Sequence, residues 1–306
     1  MPDWSYHVLF KPVLSYLPSH YSREFIHRGM NQISSVPGGH HIINFLGREE
    51  SSPLLEKEID TIRYSNSIGL SGKVDPLLTG TKAFSNLGFG FIEIGPVTVS
   101  ATSLTPPSVY KTEQIIEFPQ QVESIGLKQT ITSLNKLKLK QPLMIRLAGS
   151  FEDQVRMIKS LDQYADAFIL DSPFTLEQSA HFTTFTNKPV YLSIRSGDLG
   201  EISLTDIQTV FSGIVLDEIP NKRDSINLIE HTSAIKYLRE NDFIKTIITV
   251  GGILEPGDAL KLLDAGVDLV TLSGGYVFSG PGLSKRIKEA QLYQLKINQT
   301  AQEGWG

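Results

Sequence analysis

Cysteine is absent from this 306-residue chain. That excludes disulfides, thiolate metal sites and cysteine nucleophiles, and it fits a cytoplasmic protein. Long apolar runs are also missing, since none approaches the roughly 18 residues that a membrane-spanning helix needs. The N-terminus lacks the apolar core of a signal peptide, because Lys11, Pro12 and Pro18 interrupt it. Positive charge is in deficit: 28 lysines and arginines against 33 acidic residues leave a net charge of −5. With no basic stripe and no aromatic-rich basic patch, nucleic acid is not an expected partner. The seven histidines are scattered, and only His40 and His41 adjoin. Adjacent residues on a helix do not face one metal, so no metal site is expected. Dinucleotide, Walker and nucleophile-elbow motifs are absent too.

What is present is an alternation of strand-like and helix-like segments. Eight short apolar runs read as strands: Ile68–Ser71, Gly90–Ile94, Leu143–Leu147, Ala167–Leu170, Val190–Ile194, Gly213–Leu216, Ile247–Val250 and Leu269–Leu272. Runs this short and apolar suit parallel strands buried on both faces. Helical segments such as Gln154–Leu161 and Thr232–Glu240 fall between them. Eight such units argue for a closed (β/α)8 TIM barrel, an α/β fold that typically takes roughly 250 residues. Residues 1–39 are then a short N-terminal helical extension and residues 40–306 the barrel. The extension carries two amphipathic helices, with Phe10 and Leu14 on the first and Phe25 and Ile26 on the second. They serve either to cover the barrel floor or to rest on a membrane surface. The stretch from Val97 to Gln141 is long for a connection and starts rich in proline, so it is expected to pass over the catalytic rim. The acidic residues Glu49, Glu50, Glu56 and Glu58 read as a solvated helix face.

The segment Thr246–Leu283 is the focus. The seventh strand ends at Gly251-Gly252 and the eighth at Ser273-Gly274-Gly275. Glycine turns after the last two strands of such a barrel are the usual phosphate site, where backbone N–H groups approach an anion. The alternative is that these glycines only make tight loops. Arg146 and Arg195 end the third and fifth strands, beside Asp171, Asp217 and Glu218 at neighbouring strand ends. Such cations either bind an anionic ligand or pair with those carboxylates, and the pairing is preferred.

At Gly88-Phe89-Gly90-Phe91-Ile92-Glu93-Ile94-Gly95-Pro96-Val97-Thr98 the chain resembles the membrane-associated, quinone-reducing dihydroorotate dehydrogenases. The stretch Val250–Pro281 is similar as well, as is the Phe-Lys-Pro helix near the N-terminus. The resemblance implies an FMN-containing barrel that oxidises dihydroorotate in pyrimidine biosynthesis. It also implies a quinone entering beside the N-terminal helices and peripheral contact with the inner face of the cell membrane. Ser71 and Gly72 match the turn against the flavin ring, Ser193 the lysine position near it, and Gly252, Ser273 and Gly274 the phosphate turns. Ser172 matches the serine that takes the substrate's proton; the plain alternative is a turn residue before Pro173.

Several matching positions depart from the family pattern. The lysine after the first strand reads Pro76, although Asp75 keeps the preceding aspartate. An asparagine ending the third strand reads Arg146. Substrate-binding asparagines read Ile169, Phe174 and Glu218. These departures leave two further readings open. One is a catalytically silent dihydroorotate dehydrogenase-like paralogue acting as a binding or regulatory protein. The other is a barrel that binds a phosphorylated metabolite without flavin.

Overall fold

The computed structural model describes residues 52–102, 108–110, 115–117, 122–171, 176–182, 184–201, 203–220 and 222–303. The N-terminal extension, its boundary at residue 39 and Ser172 lie outside the described residues. A hairpin comes first, formed by β1 (Lys57–Ile59) and β2 (Ile62–Tyr64). The barrel then begins with β3 (Ile68–Leu70), a short helix α1 (Thr81–Phe84) and β4 (Phe91–Val97). A ribbon of β5 (Ser108–Tyr110) and β6 (Ile115–Glu117) and the helix α2 (Leu127–Leu134) fill the long connection. The remaining units are β7 (Leu143–Leu147) with α3 (Phe151–Leu161), β8 (Ala167–Leu170) with α4 (Leu176–Phe182) and β9 (Val190–Arg195) with α5 (Leu204–Val210). They continue with β10 (Gly213–Asp217) and α6 (Asp224–Glu240), then β11 (Thr246–Val250) and α7 (Pro256–Ala265). Last come β12 (Leu269–Leu272), α8 (Gly274–Ser279) and α9 (Leu283–Glu303).

Eight strands close in the order β3-β4-β7-β8-β9-β10-β11-β12, with β12 paired in parallel to β3. This is the expected TIM barrel, and each anticipated strand is present. Local sequence explains the helices between them. Ser150 caps α3 by accepting from Asp153 N, and Glu152 and Asp153 place negative charge on the positive end of the helix. Glu255 and Asp258 form a capping box on α7, Pro256 opens it and Gly266 ends it in the left-handed region.

The acidic segment corrects one expectation. Glu58 lies on β1 and Glu56 follows a 3-10 turn over Pro53–Leu55, so these residues belong to a turn and a hairpin rather than to a helix. The hairpin seals the barrel floor. Asp60, at its tip, accepts from Tyr191 Oη at 2.8 Å and from Thr246 Oγ1 at 2.7 Å. Above it, Tyr64, Phe91, Met144, Ile169, Tyr191, Val215, Ile248 and Leu269 make an apolar plug inside the barrel. Tyr64 and Phe91 meet edge to face at 5.7 Å. A second, larger cluster packs the helices against the outside of the strands. The lower half of the barrel is therefore a solid core, and only the upper layer is left for chemistry.

Candidate functional site

Side chains alternate across a strand, so each inward-facing apolar residue is followed two positions later by another that points inward, one layer higher. Phe91 is followed by Glu93, Met144 by Arg146, Ile169 by Asp171, Tyr191 by Ser193 and Val215 by Asp217. The apolar plug thus gives way to a charged layer at the carboxyl ends of the strands, the rim where barrel enzymes hold their sites.

Arg146 is the centre of that layer and is fully buried. Its Nε donates to Glu93 Oε1 at 2.7 Å. Its Nη1 faces Ser193 Oγ at 2.8 Å, Asp217 Oδ2 at 3.2 Å and Asp171 Oδ1 at 3.3 Å. Lys73, in the turn after β3, completes the network. Its Nζ lies 2.9 Å from Asp217 Oδ1 and 3.2 Å from Glu218 Oε1. Ser273 Oγ donates to Glu218 Oε1 at 3.2 Å. The expected pairing of Arg146 with the strand-end carboxylates is present. Arg195 differs from expectation, because its side chain is exposed and it is not in the network.

Burial works against the charges of Lys73, Arg146, Asp217 and Glu218, and the neighbours decide the outcome. Burial alone would discharge Lys73, yet Asp217 and Glu218 together hold its ammonium above the ordinary lysine range. Arg146 is held charged in the same way by Glu93, Asp217 and Asp171. Asp217 is kept well below the usual carboxylate range because Lys73 and then Arg146 outweigh its burial. Glu218 goes the other way: burial raises its pKa, Asp217 adds to the rise, and Lys73 offsets only part. The layer is an ion-pair network in which both cations face carboxylates and Arg146 Nη2 alone of the guanidinium nitrogens has no hydrogen-bond partner, not an open cationic pocket.

The anticipated flavin contacts fall around this network. Ser71 N donates to Leu272 O at 2.9 Å, and Ser71 Oγ caps Lys73 N at 3.3 Å. Gly72 is pressed against the end of β4, where a Cβ would meet Gly95 O at 2.4 Å. Ser193 accepts from Arg146. Asp75 accepts from Thr79 N, Gly80 N, Thr79 Oγ1 and Thr81 Oγ1, so its carboxylate holds its own loop. Gly252, Ser273 and Gly274 do come together between β11 and β12, as the sequence suggested. Gly252 N, however, donates to Asp224 Oδ1 at 2.8 Å. Glu218 Oε2 lies 2.6 Å from where a Cβ on Gly251 would stand, and Asp224 Oδ2 lies 3.1 Å from the equivalent point on Gly274. A phosphate placed there would meet two carboxylates and an amide already engaged. The residues of this arrangement do not fit the phosphate of FMN. From the long insertion, Ile116 Cδ1 comes within 3.7 Å of the same point on Gly274, so the β5–β6 ribbon covers the rim as anticipated.

Three participants went unnoticed in the sequence. Lys73 is 144 residues from Asp217, and only the closure of β12 on β3 brings them together. Asp224 follows a segment with no recognisable motif. His231, fully buried on α6, links two rim segments: its Nε2 lies 2.9 Å from Val250 O and its Nδ1 2.8 Å from Ser196 Oγ. Burial lowers its pKa, so the ring is neutral, with Nε2–H donating to Val250 O and Nδ1 accepting from Ser196. Among the described residues, no group of three or more histidines and carboxylates could hold a metal ion. No described helix is long and apolar enough to cross a membrane.

No family model matches the chain. Individual relatives do. It is 24% identical over 307 residues to the dihydroorotate dehydrogenase (quinone) of Nostoc punctiforme, covering 80% of this chain and 81% of that protein. It is 26% identical over 295 residues to the protein of that name from Sulfurimonas denitrificans, covering 81% and 83%. The counterpart from Christiangramia forsetii is 22% identical over 339 residues, covering 93% and 98%. Among solved structures, the Eimeria tenella DHODH in complex with ferulenol superposes with a TM-score of 0.68 at 17% identity, covering 87% of this chain and 93% of that one. That superposition speaks for the shared fold, and the curated likenesses cover 80%, 81% and 93% of the chain. In sequence the chain is similar to quinone-dependent dihydroorotate dehydrogenases at 22–26% identity, and it shares the fold of a solved one.

Proposed function

We propose that this chain keeps the dihydroorotate dehydrogenase-like barrel without its flavin chemistry, and that it acts as a binding or regulatory protein. The observation that carries this reading is the ion-pair layer of Glu93, Arg146, Asp171, Asp217, Lys73 and Glu218, which takes up the upper barrel. A flat, amide-edged substrate needs fixed neutral donors and acceptors, and each unmatched buried partner costs about 1–3 kcal/mol. Ile169, at a position where the family resemblance puts a substrate-binding asparagine, is part of the apolar plug. Glu218, at another, would repel a substrate carboxylate. Purified protein is expected to leave a redox dye unreduced when given dihydroorotate and FMN together.

A second reading has a specific support, the activity for which the relatives aligned over about four-fifths of the chain are named. Under it the protein is an FMN-dependent oxidoreductase of dihydroorotate with a diverged pocket. Ser172 then takes the substrate's proton, and Ser71, Gly72, Ser193, Gly252, Ser273 and Gly274 lie along the cofactor. A quinone enters at residues 1–39, and the protein sits on the inner face of the cell membrane. Dye reduction that disappears in Ser172→Ala would establish this reading and overturn the first. In a flotation assay with lipid vesicles, protein found only in the soluble layer would remove the membrane contact from it.

A further inference from the structure

The turn after β11 has the shape of an anion cradle, and a carboxylate of the chain itself already occupies it. Gly251 and Gly252 both take φ of 76°, a left-handed conformation; Gly251 N donates to Thr271 O at 3.0 Å, and Gly252 N is the amide turned into the concave side. Asp224 is the first residue of α6 and is 6% exposed. Its Oδ1 accepts from Gly252 N, while its Oδ2 reaches toward Gly274 across the gap between the β11 and β12 turns. Glu218 closes the other flank, with Oε1 on Ser273 Oγ and Oε2 against Gly251. No lysine, arginine or histidine pairs with Asp224 among the described residues. A buried carboxylate without a counter-cation is costly, so its position needs a reason. Burial pushes its pKa up to about 7, against the effect of the Gly252 hydrogen bond, with Glu218 and Asp258 adding to the rise. Carboxylate and phosphate oxygens accept from amides with the same geometry, so Asp224 makes the contact that a phosphoryl oxygen would make there.

We propose that Asp224 is an internal plug in a latent phosphate-monoester site, seated on the Gly252 amide in the place of a ligand's phosphoryl group. Removing its carboxylate exposes that amide and the Gly274 backbone to an external anion, while the Ser273 hydroxyl stays on Glu218. Replacing it by asparagine does not, because the amide side chain keeps the shape and still accepts from Gly252. The inference rests on the reading that the native chain does not hold FMN, and its test separates the two.

The test uses the full chain with inorganic phosphate as probe. Binding is measured by titration calorimetry and by the NMR shift of the Gly252 amide, in wild type, Asp224→Asn, Asp224→Ala and Asp224→Ser. The Ala and Ser variants are expected to bind phosphate about tenfold or more tightly than wild type, with the Gly252 amide shifting on binding; tenfold corresponds to about 1.4 kcal/mol. Asp224→Asn is expected to stay with wild type. Serine, favoured at helix starts, keeps the test valid if Asp224→Ala does not fold. A folded Ala or Ser variant that gains no phosphate affinity, or a wild type that binds phosphate at Gly252 equally well, overturns the inference. Wild type that takes up FMN overturns the reading under Proposed function instead, whatever the variants do.

Discussion

Arg146→Met is the sharpest perturbation of the charged layer. Methionine fills much of the arginine's length and removes its charge, so the change isolates electrostatics from cavity formation. Glu93 would lose its 2.7 Å partner at a site where its side chain is 1% exposed. Asp217 would lose one of two cations, and Ser193 its donor. Removing one member of a buried ion pair costs about 3–5 kcal/mol, because the charge left behind cannot be solvated. A whole domain is stable by only about 5–15 kcal/mol, so the urea midpoint should fall by about a fifth or more of its value. The double variant Glu93→Gln/Arg146→Met removes both charges and is expected to recover most of that loss. A single variant that loses less than about 1 kcal/mol would behave like an exposed pair and would refute the claim that this layer is a buried ion-pair network. A double variant no better than the single one would refute the attribution to Glu93.

Other consequences can be measured on the same material. The carboxyl of Asp224 titrates near 7 in the folded protein against an ordinary value of 3.8. A raised folded pKa means stability that is full below the unfolded pKa and is lost as pH rises through the folded one. At 1.36 kcal/mol per tenfold change in proton affinity, the loss between about pH 4 and pH 7 comes to about 4 kcal/mol. The stability of Asp224→Asn relative to wild type should therefore rise by up to that amount over the same interval, and a difference that does not change with pH would contradict the assignment. Gly72→Ala places a methyl 2.4 Å from Gly95 O, so overpacking of about 1–3 kcal/mol is expected in a thermal melt. An unchanged melting temperature would mean the turn has room to spare.

Much of the barrel was legible in the sequence because its parallel strands are buried on both faces and so are written as short apolar runs. Leu143–Leu147, Ala167–Leu170 and Leu269–Leu272 fall where the sequence placed them, to the residue. The β1–β2 hairpin was hidden, since two three-residue strands rich in charge carry no periodic signal. The members of the charged layer could be named from strand ends, but not their partners. Lys73 joins Asp217 only through closure of the barrel, and Arg195 leaves the network because its side chain points to solvent. The phosphate turns show the same limit. Glycine spacing reports the shape of a cradle, while its occupant, Asp224, comes from a helix 28 residues away in sequence, placed there by packing.

The account stands on the barrel mouth being filled by its own ion pairs and its own carboxylate. A titration of the purified full-length chain with FMN, followed by flavin fluorescence and visible absorbance, tests this most directly. The account predicts protein that is colourless as isolated and leaves the FMN emission unquenched. Yellow protein carrying one FMN per chain, or saturable quenching at that ratio, would contradict it.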